Sequence, residues 1–279
     1  MGRHSPAPLV SRETEETMKT IINWKTFFVL WIAAVLASIA ILPYALELQS
    51  STLASVDSPI PLPVLLVIQT VQNAILFGIM IFIGMILAKR IGLGTPILDS
   101  VSQGASVSDK VRAILPISIV FGVIAGLVII GLDVFAFQPA LLNELGGKAD
   151  VLAQSAQPAA WKGFLASFYG GIGEEIQLRL LVMSLIAWIG SFISRTSEGK
   201  PTSAIFWIAN ILAAVLFGLG HLPATANILP LTPLVITRAI VLNGLAGVAF
   251  GYLYWKRGLE SAMVAHFSAD IILHVLFAL

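Results

Sequence analysis

The chain has 279 residues, of which 57% are hydrophobic and only 11% are charged, whereas a soluble domain carries about 25% charged residues. The mean hydropathy of +0.93 therefore indicates a polytopic membrane protein rather than a soluble one. The net charge of +1 gives no reason to expect a nucleic-acid partner, and the absence of cysteine excludes thiol catalysis, disulfides and thiolate metal sites.

Apolar runs of about 20 residues predict an all-α bundle with about seven transmembrane helices. Residues 1–23 are polar and are predicted to form a cytoplasmic tail, because lysine and arginine are concentrated in this tail and in alternate loops. Residues 24–159 are predicted to hold three spans and their loops, and residues 160–279 the remaining four. The predicted spans cover 24–46, 62–88, 113–137, 161–193, 203–220, 233–255 and 259–279.

The second predicted span carries a stripe of amide side chains on one helical face. These side chains are Gln69, Gln72 and Asn73. Polar residues on a transmembrane helix commonly hydrogen-bond to a neighbouring helix, so the stripe predicts an inter-helix seam. The alternative is that the stripe lines a cavity.

Three ionisable side chains, Glu174, Glu175 and Arg179, interrupt the apolar run of the fourth span. Each charge near the bilayer centre costs about 2.5–3.5 kcal/mol on insertion scales, which indicates that the protein uses them. Glu175 and Arg179 are four residues apart and can pair on one face of a helix. Glu174 is turned about 100° away from Glu175, so the spacing predicts one paired carboxylate and one that is free for chemistry.

Two further polar segments lie about one helical hairpin apart in the later spans, from Phe217 to His221 and from His266 to Asp270. Each has a simpler explanation: His221 could bond a carbonyl at a helix end, and His266 could pair with Asp270. His274 continues the stripe of His266 and Asp270 on the last helix. Together with Glu174, the two segments can meet in one bundle core.

Hydrolysis is the reaction that this combination favours. A free carboxylate beside an imidazole can deprotonate a water, and a second imidazole with a polar neighbour can stabilise an oxyanion. The alternative is a zinc site with an open position, for which the possible ligands are Glu174, His221 and His266. The metalloprotease signature H-E-x-x-H and the serine-hydrolase signature G-x-S-x-G are both absent from the sequence.

The order of these motifs resembles a known family. E-E-x-x-x-R, then F-x-x-x-H, then H-x-x-x-N or D is similar to the CPBP family of CAAX-type and Abi-type intramembrane proteases, whose eukaryotic relatives cleave prenylated CAAX proteins. In this sequence the three motifs run from Glu174 to Arg179, from Phe217 to His221 and from His266 to Asp270. The resemblance covers residues 160–279, which it implies are the catalytic core.

The resemblance also implies roles for the site residues. Glu174 is expected to be the general base for water, assisted by His221, while His266 and Asp270 are expected to form the oxyanion site. The CAAX enzymes usually have Asn where this chain has Asp270. An ionised Asp cannot donate to an oxyanion, so Asp270 must either be neutral or orient His266.

The remaining expectations concern support, partners and location. Glu175, Arg179 and Phe217 are expected to support the site. No cofactor is expected, with zinc as the alternative. The expected substrate is a membrane-embedded or lipid-anchored protein or peptide, and the expected location is the plasma membrane of a prokaryote, with the N-terminus cytoplasmic.

Two alternative functions remain open from the sequence. One is a catalytically silent relative that acts as an immunity or partner-binding membrane protein. The other is a small transporter whose charges line a path across the membrane. The presence of Glu174, His221 and His266 together favours the enzyme.

Overall fold

The computed structural model describes residues 22–55, 59–144, 146 and 158–278. The structure is 83% helical, and none of the described residues belongs to a β-strand. The predicted all-α class is therefore confirmed. Residues 1–21 of the predicted cytoplasmic tail lie outside the described residues.

The described helices fall into an N-terminal and a C-terminal group. The first group comprises α1 (Trp24–Ala40), α2 (Leu42–Leu48), α3 (Ser50–Ser55), α4 (Leu62–Ile91), α5 (Pro96–Ser102), α6 (Ser108–Leu132) and α7 (Gln138–Glu144). The second comprises α8 (Ala160–Phe168), α9 (Ser184–Gly190), α10 (Ser203–Gly220), α11 (Leu222–Ala226), α12 (Pro233–Arg257) and α13 (Leu259–Asp270). Wider π-helical segments occur at Asp133–Phe137, Tyr169–Glu174, Ile176–Met183 and Ile271–Leu276.

Six helical stretches within the described residues are long and apolar enough to cross a membrane. They are Trp24–Leu48, Leu62–Ile91, Ser108–Glu144, Ser203–Ala226, Pro233–Arg257 and Leu259–Leu276. The predicted fourth span is also continuous helix, over residues 160–190, which we call the motif helix. The motif helix carries Lys162, Glu174, Glu175 and Arg179 and is not among these six stretches, whose number is close to the predicted seven.

Two helix junctions place functional residues. Pro223 lies in the first turn of α11, where a missing N–H costs little, so α10 ends at Gly220 and His221 occupies the junction. Gly258 separates α12 from α13 with a φ of 96°, a conformation that favours glycine. The last helix, which comprises α13 and the π-helical segment Ile271–Leu276, therefore begins directly after α12 ends.

Close backbone contact joins α6, from the N-terminal group, to the last helix. A Cβ atom at Gly122 would overlap the carbonyl oxygen of Ala265, and one at Gly126 would lie 2.9 Å from Cβ of Ile272. Helices in a membrane gain packing energy by this kind of approach, because the hydrophobic effect does not hold them together there. The helix that carries His266 and Asp270 is thus supported by the N-terminal group.

A second link between the two groups is an ion pair. Arg238 on α12 donates to Asp133 through Nε at 2.6 Å and Nη2 at 2.8 Å, in the two-pronged geometry that favours arginine over lysine. Gln138 also donates to Asp133, at 3.3 Å. The charge of Asp133 is therefore balanced by a structural partner.

Replacing Gly122 with alanine is expected to destabilise the fold. The new methyl group must push α6 away from the carbonyl oxygen of Ala265, which we expect to lower the free energy of unfolding by about 1–3 kcal/mol. The matched control is Gly131→Ala on the same helix, where nothing lies within 4 Å of the added Cβ. Thermal unfolding of the purified protein in detergent compares the two variants, and equal unfolding temperatures would contradict the close approach.

Candidate functional site

A cavity of about 510 Å³ is lined by residues from both helical groups. Its lining includes the four predicted catalytic residues, Glu174, His221, His266 and Asp270. They come from the motif helix, the junction after α10 and the last helix. The structure therefore brings the three polar motifs of the sequence together in one place.

Glu175 makes two contacts, of which the sequence predicted one. It is fully buried, and its Oε2 lies 3.2 Å from Nε of the equally buried Arg179, as the four-residue spacing predicted. Its Oε1 lies 2.8 Å from Nδ1 of His266. A carboxylate paired with arginine can only accept, so the hydrogen on Nδ1 of His266 donates to Glu175, and Nε2 is the nitrogen left for chemistry.

The Nε2 atom of His266 lies between two further carboxyl groups. It is 3.6 Å from Oε2 of Glu174 and 3.6 Å from Oδ1 of Asp270. Both distances are longer than a direct hydrogen bond but short enough for a strong electrostatic influence or for a bridging water. The side chain of Glu174 is 22% exposed, whereas that of Glu175 is buried, so Glu174 is the carboxylate that faces the cavity.

The imidazole of His221 is oriented by a contact with α10, the helix that ends just before it. Its Nδ1 is 2.8 Å from the carbonyl oxygen of Phe217, which can only accept, so Nδ1 donates and Nε2 remains available. The ring of Phe217 lies 4.8 Å from the ring of His221 and 5.6 Å from that of His266, and 5.6 Å from the guanidinium carbon of Arg179. Phe217 thus packs among both imidazoles and the arginine.

A glycine allows the last helix to approach the motif helix at the site. A Cβ atom at Gly170 would overlap Oδ2 of Asp270 and would lie 3.1 Å from Nε2 of His266. Any larger residue at this position would displace both groups. The glycine-rich run that precedes Glu174 is the sequence signal for this approach.

The helix that carries the two glutamates is not a regular α-helix, which the sequence reasoning did not predict. Glu175 lies between the π-helical segments Tyr169–Glu174 and Ile176–Met183. Such segments occur frequently at functional sites. Gly170, Gly171 and Gly173 have little intrinsic preference for a regular helix, and this favours the departure.

Tyr44 is a cavity residue that sequence reasoning missed. Its hydroxyl lies 3.3 Å from Nδ1 of His274, and the two rings meet edge to face at 5.5 Å. Both residues line the cavity. The sequence indicated His274 through its spacing from His266, but it offered no comparable signal for Tyr44 beyond the neighbouring Pro43.

The amide stripe of α4 supplies part of the cavity wall. Gln69 and Asn73 line the cavity and Gln72 does not, while Gln69 and Gln72 are both exposed and Asn73 is half-buried. The alternative interpretation of the stripe is therefore correct for two of its members, and the predicted inter-helix seam is wrong for those two.

The three residues considered as zinc ligands, Glu174, His221 and His266, all line the cavity. Within the described residues, no three histidine, aspartate or glutamate side chains form a group that could hold a metal ion. Glu174, His221 and His266 share the cavity without forming such a group.

Glu175→Gln is expected to lower stability far more than Glu174→Gln. The first change leaves the buried Arg179 without its counter-charge, which typically costs about 3–5 kcal/mol, while Glu174 is partly exposed and has no direct hydrogen bond to lose. Thermal unfolding in detergent measures both variants. If the two variants lose the same stability, the distinction between a structural and a free carboxylate is wrong.

A protein-family model matches the C-terminal part of the chain. A protein-family model described as type II CAAX prenyl endopeptidase Rce1-like matches residues 156–272. Neither a curated protein nor a solved structure matches the chain significantly. The matched range contains all four predicted catalytic residues and confirms the resemblance stated from the sequence, while α1 to α7 and His274 lie outside it.

Proposed function

We propose, from the membership of residues 156–272 in the Rce1-like family of type II CAAX prenyl endopeptidases, that Glu174 activates a water which hydrolyses a peptide bond of a membrane-associated substrate. The family is one of intramembrane proteases, and the described helices suit a membrane-embedded enzyme. The observation that carries the proposal is that Glu174, His221, His266 and Asp270 line one cavity.

Glu174 is the proposed general base. Its carboxylate takes one proton from a water in the cavity, the remaining hydroxide oxygen bonds to the scissile carbonyl carbon, and the carbonyl π electrons move to oxygen. When the tetrahedral intermediate collapses, the C–N bond breaks and Glu174 returns the proton to the leaving nitrogen. The exposure of Glu174 and the available Nε2 of His221 in the same cavity support this assignment.

His266 and Asp270 are the proposed oxyanion donors. Because Nδ1 of His266 already donates to Glu175, a donor at Nε2 requires the imidazolium form, and the negative charge of Glu175 would balance it. Asp270 can donate only as the neutral acid. Glu175 would then be a positioning residue that acts through His266 and does not touch the substrate.

The proposed mechanism is metal-free. It uses a carboxylate and imidazoles, which can act as the base and as hydrogen-bond donors without a Lewis acid. The proposed substrate is a membrane-embedded or lipid-anchored protein or peptide, of the CAAX, bacteriocin or pheromone type. We also propose a cytoplasmic N-terminus and a prokaryotic plasma membrane, in line with the lysine and arginine distribution for the former.

Glu174→Gln is expected to abolish cleavage, because glutamine cannot accept the proton of the attacking water. We expect the turnover of the purified protein, measured on a panel of prenylated and unprenylated membrane peptides, to fall by at least about 10²-fold. The control is Glu198→Gln, which removes an exposed glutamate outside the cavity lining. Near-normal cleavage by Glu174→Gln would overturn the base assignment, and a wild-type protein that cleaves nothing would favour a silent relative.

Activity is expected to be independent of a bound metal. Protein purified with and without chelator should show equal turnover, and elemental analysis should find no stoichiometric zinc in the active preparation. A zinc ion present at one per chain, whose removal and return track activity, would overturn the metal-free mechanism.

Asp270→Asn is expected to keep activity and to flatten the decline of activity at alkaline pH. A neutral aspartic acid loses its donor when it ionises as the pH rises, whereas asparagine donates at every pH. The pH profile of turnover measures this directly. A loss of about 10²-fold or more at all pH values, with unchanged thermal unfolding, would instead make Asp270 an ionised residue that orients His266.

A further inference from the structure

We propose that Gln69 and Asn73 form a subsite that binds the main chain of an extended substrate peptide. The inference rests on the proposed protease function and extends the binding site to α4, outside the residues that match the family. It assigns a role in substrate affinity to the N-terminal group of helices.

The first observation is that both amides are open to the cavity, since Gln69 is exposed and Asn73 is half-buried. Gln69 and Asn73 line the cavity, and neither side chain makes a hydrogen bond with another described residue. Each residue belongs to a helix that is otherwise apolar enough to cross a membrane. A polar group in such surroundings is costly unless something satisfies it, and a peptide in the cavity would do so.

The second observation is the spacing of the two residues. Side chains four apart on a helix have Cβ atoms about 5–6 Å apart. Alternate residues of an extended strand are about 6.4–6.8 Å apart, and their N–H and C=O groups point to the same edge. A carboxamide both donates and accepts, so each amide can satisfy one such residue of the peptide.

The third observation is the position of the pair relative to Glu174. Phe77 lies one turn after Asn73 on α4, and its ring packs on that of Tyr169 at 6.4 Å. Tyr169 begins the π-helical segment that ends at Glu174. One helical turn rises about 5.4 Å, so Asn73 and Gln69 lie about one and two turns from this contact. A peptide held by the amides would therefore run alongside the segment that ends at Glu174.

This arrangement points to main-chain recognition rather than to sequence preference. A peptide that enters a membrane-embedded cavity loses the water that satisfied its backbone, and each unsatisfied group costs several kcal/mol. Amides that replace this water would stabilise any extended sequence equally. The expected contribution is to affinity, with little effect on the chemical step.

The test uses the full chain in proteoliposomes, with Gln69→Met and Asn73→Leu as variants that keep size but remove hydrogen bonding. Gln72→Met is the matched control, because Gln72 lies on the same helix outside the cavity lining. With a farnesylated CAAX-type peptide and an unprenylated membrane peptide as probes, we expect KM to rise about 3- to 10-fold for each variant at unchanged kcat. Variants whose KM equals that of Gln72→Met would overturn the proposal.

An ester scan of the peptide identifies main-chain contacts. Replacing one backbone N–H by oxygen at the position facing Asn73 should raise KM for the wild-type protein but not for Asn73→Leu, since that hydrogen bond is already lost. Equal effects of every ester on both proteins would overturn main-chain recognition.

Binding of the same peptides to the Glu174→Gln protein, followed by fluorescence anisotropy, tests the subsite without turnover. We expect the amide substitutions to weaken binding about 3- to 10-fold there as well. If the wild-type protein binds the peptides normally but does not cleave them, the proposed protease function alone is overturned. If the wild-type protein cleaves them and the amide variants behave like it, only the proposed subsite is overturned. Absence of peptide binding would overturn both.

Discussion

The arrangement of the site depends on a guanidinium group that solvent does not reach. Arg179 is completely buried, so it requires a counter-charge, and Glu175 supplies one. The second oxygen of Glu175 then fixes Nδ1 of His266, whose ring also stacks on Phe250 at 4.7 Å. A buried chain of charge-assisted contacts therefore determines which imidazole nitrogen faces the cavity and where it lies.

Residues from both halves of the chain line the cavity. The C-terminal group supplies the acids and imidazoles, whereas α2 and α4 supply Tyr44 and the amides Gln69 and Asn73. The residues proposed for the chemistry are thus separated along the chain from the residues that line the rest of the cavity.

Much of this organisation could be predicted from the sequence, because charges in apolar segments are conspicuous. The pairing of Glu175 with Arg179 followed from their spacing, and the shared cavity followed from the order of the motifs. The contact of Glu175 with His266 could not be predicted, since it joins helices distant along the chain. The π-helical segments were also missed, because hydrophobic periodicity assumes a regular helix.

The glycine contacts between α6 and the last helix have a consequence for how the two halves can diverge. At Gly122 and Gly126 a backbone of one half rests directly on atoms of the other, so these positions are restricted by size alone, whatever chemistry the cavity performs. On the exposed side of the same helix, which includes Ile124 and Leu127, no such restriction applies. A foreign N-terminal half joined to this C-terminal group would therefore first have to present residues without a side chain at these two contacts.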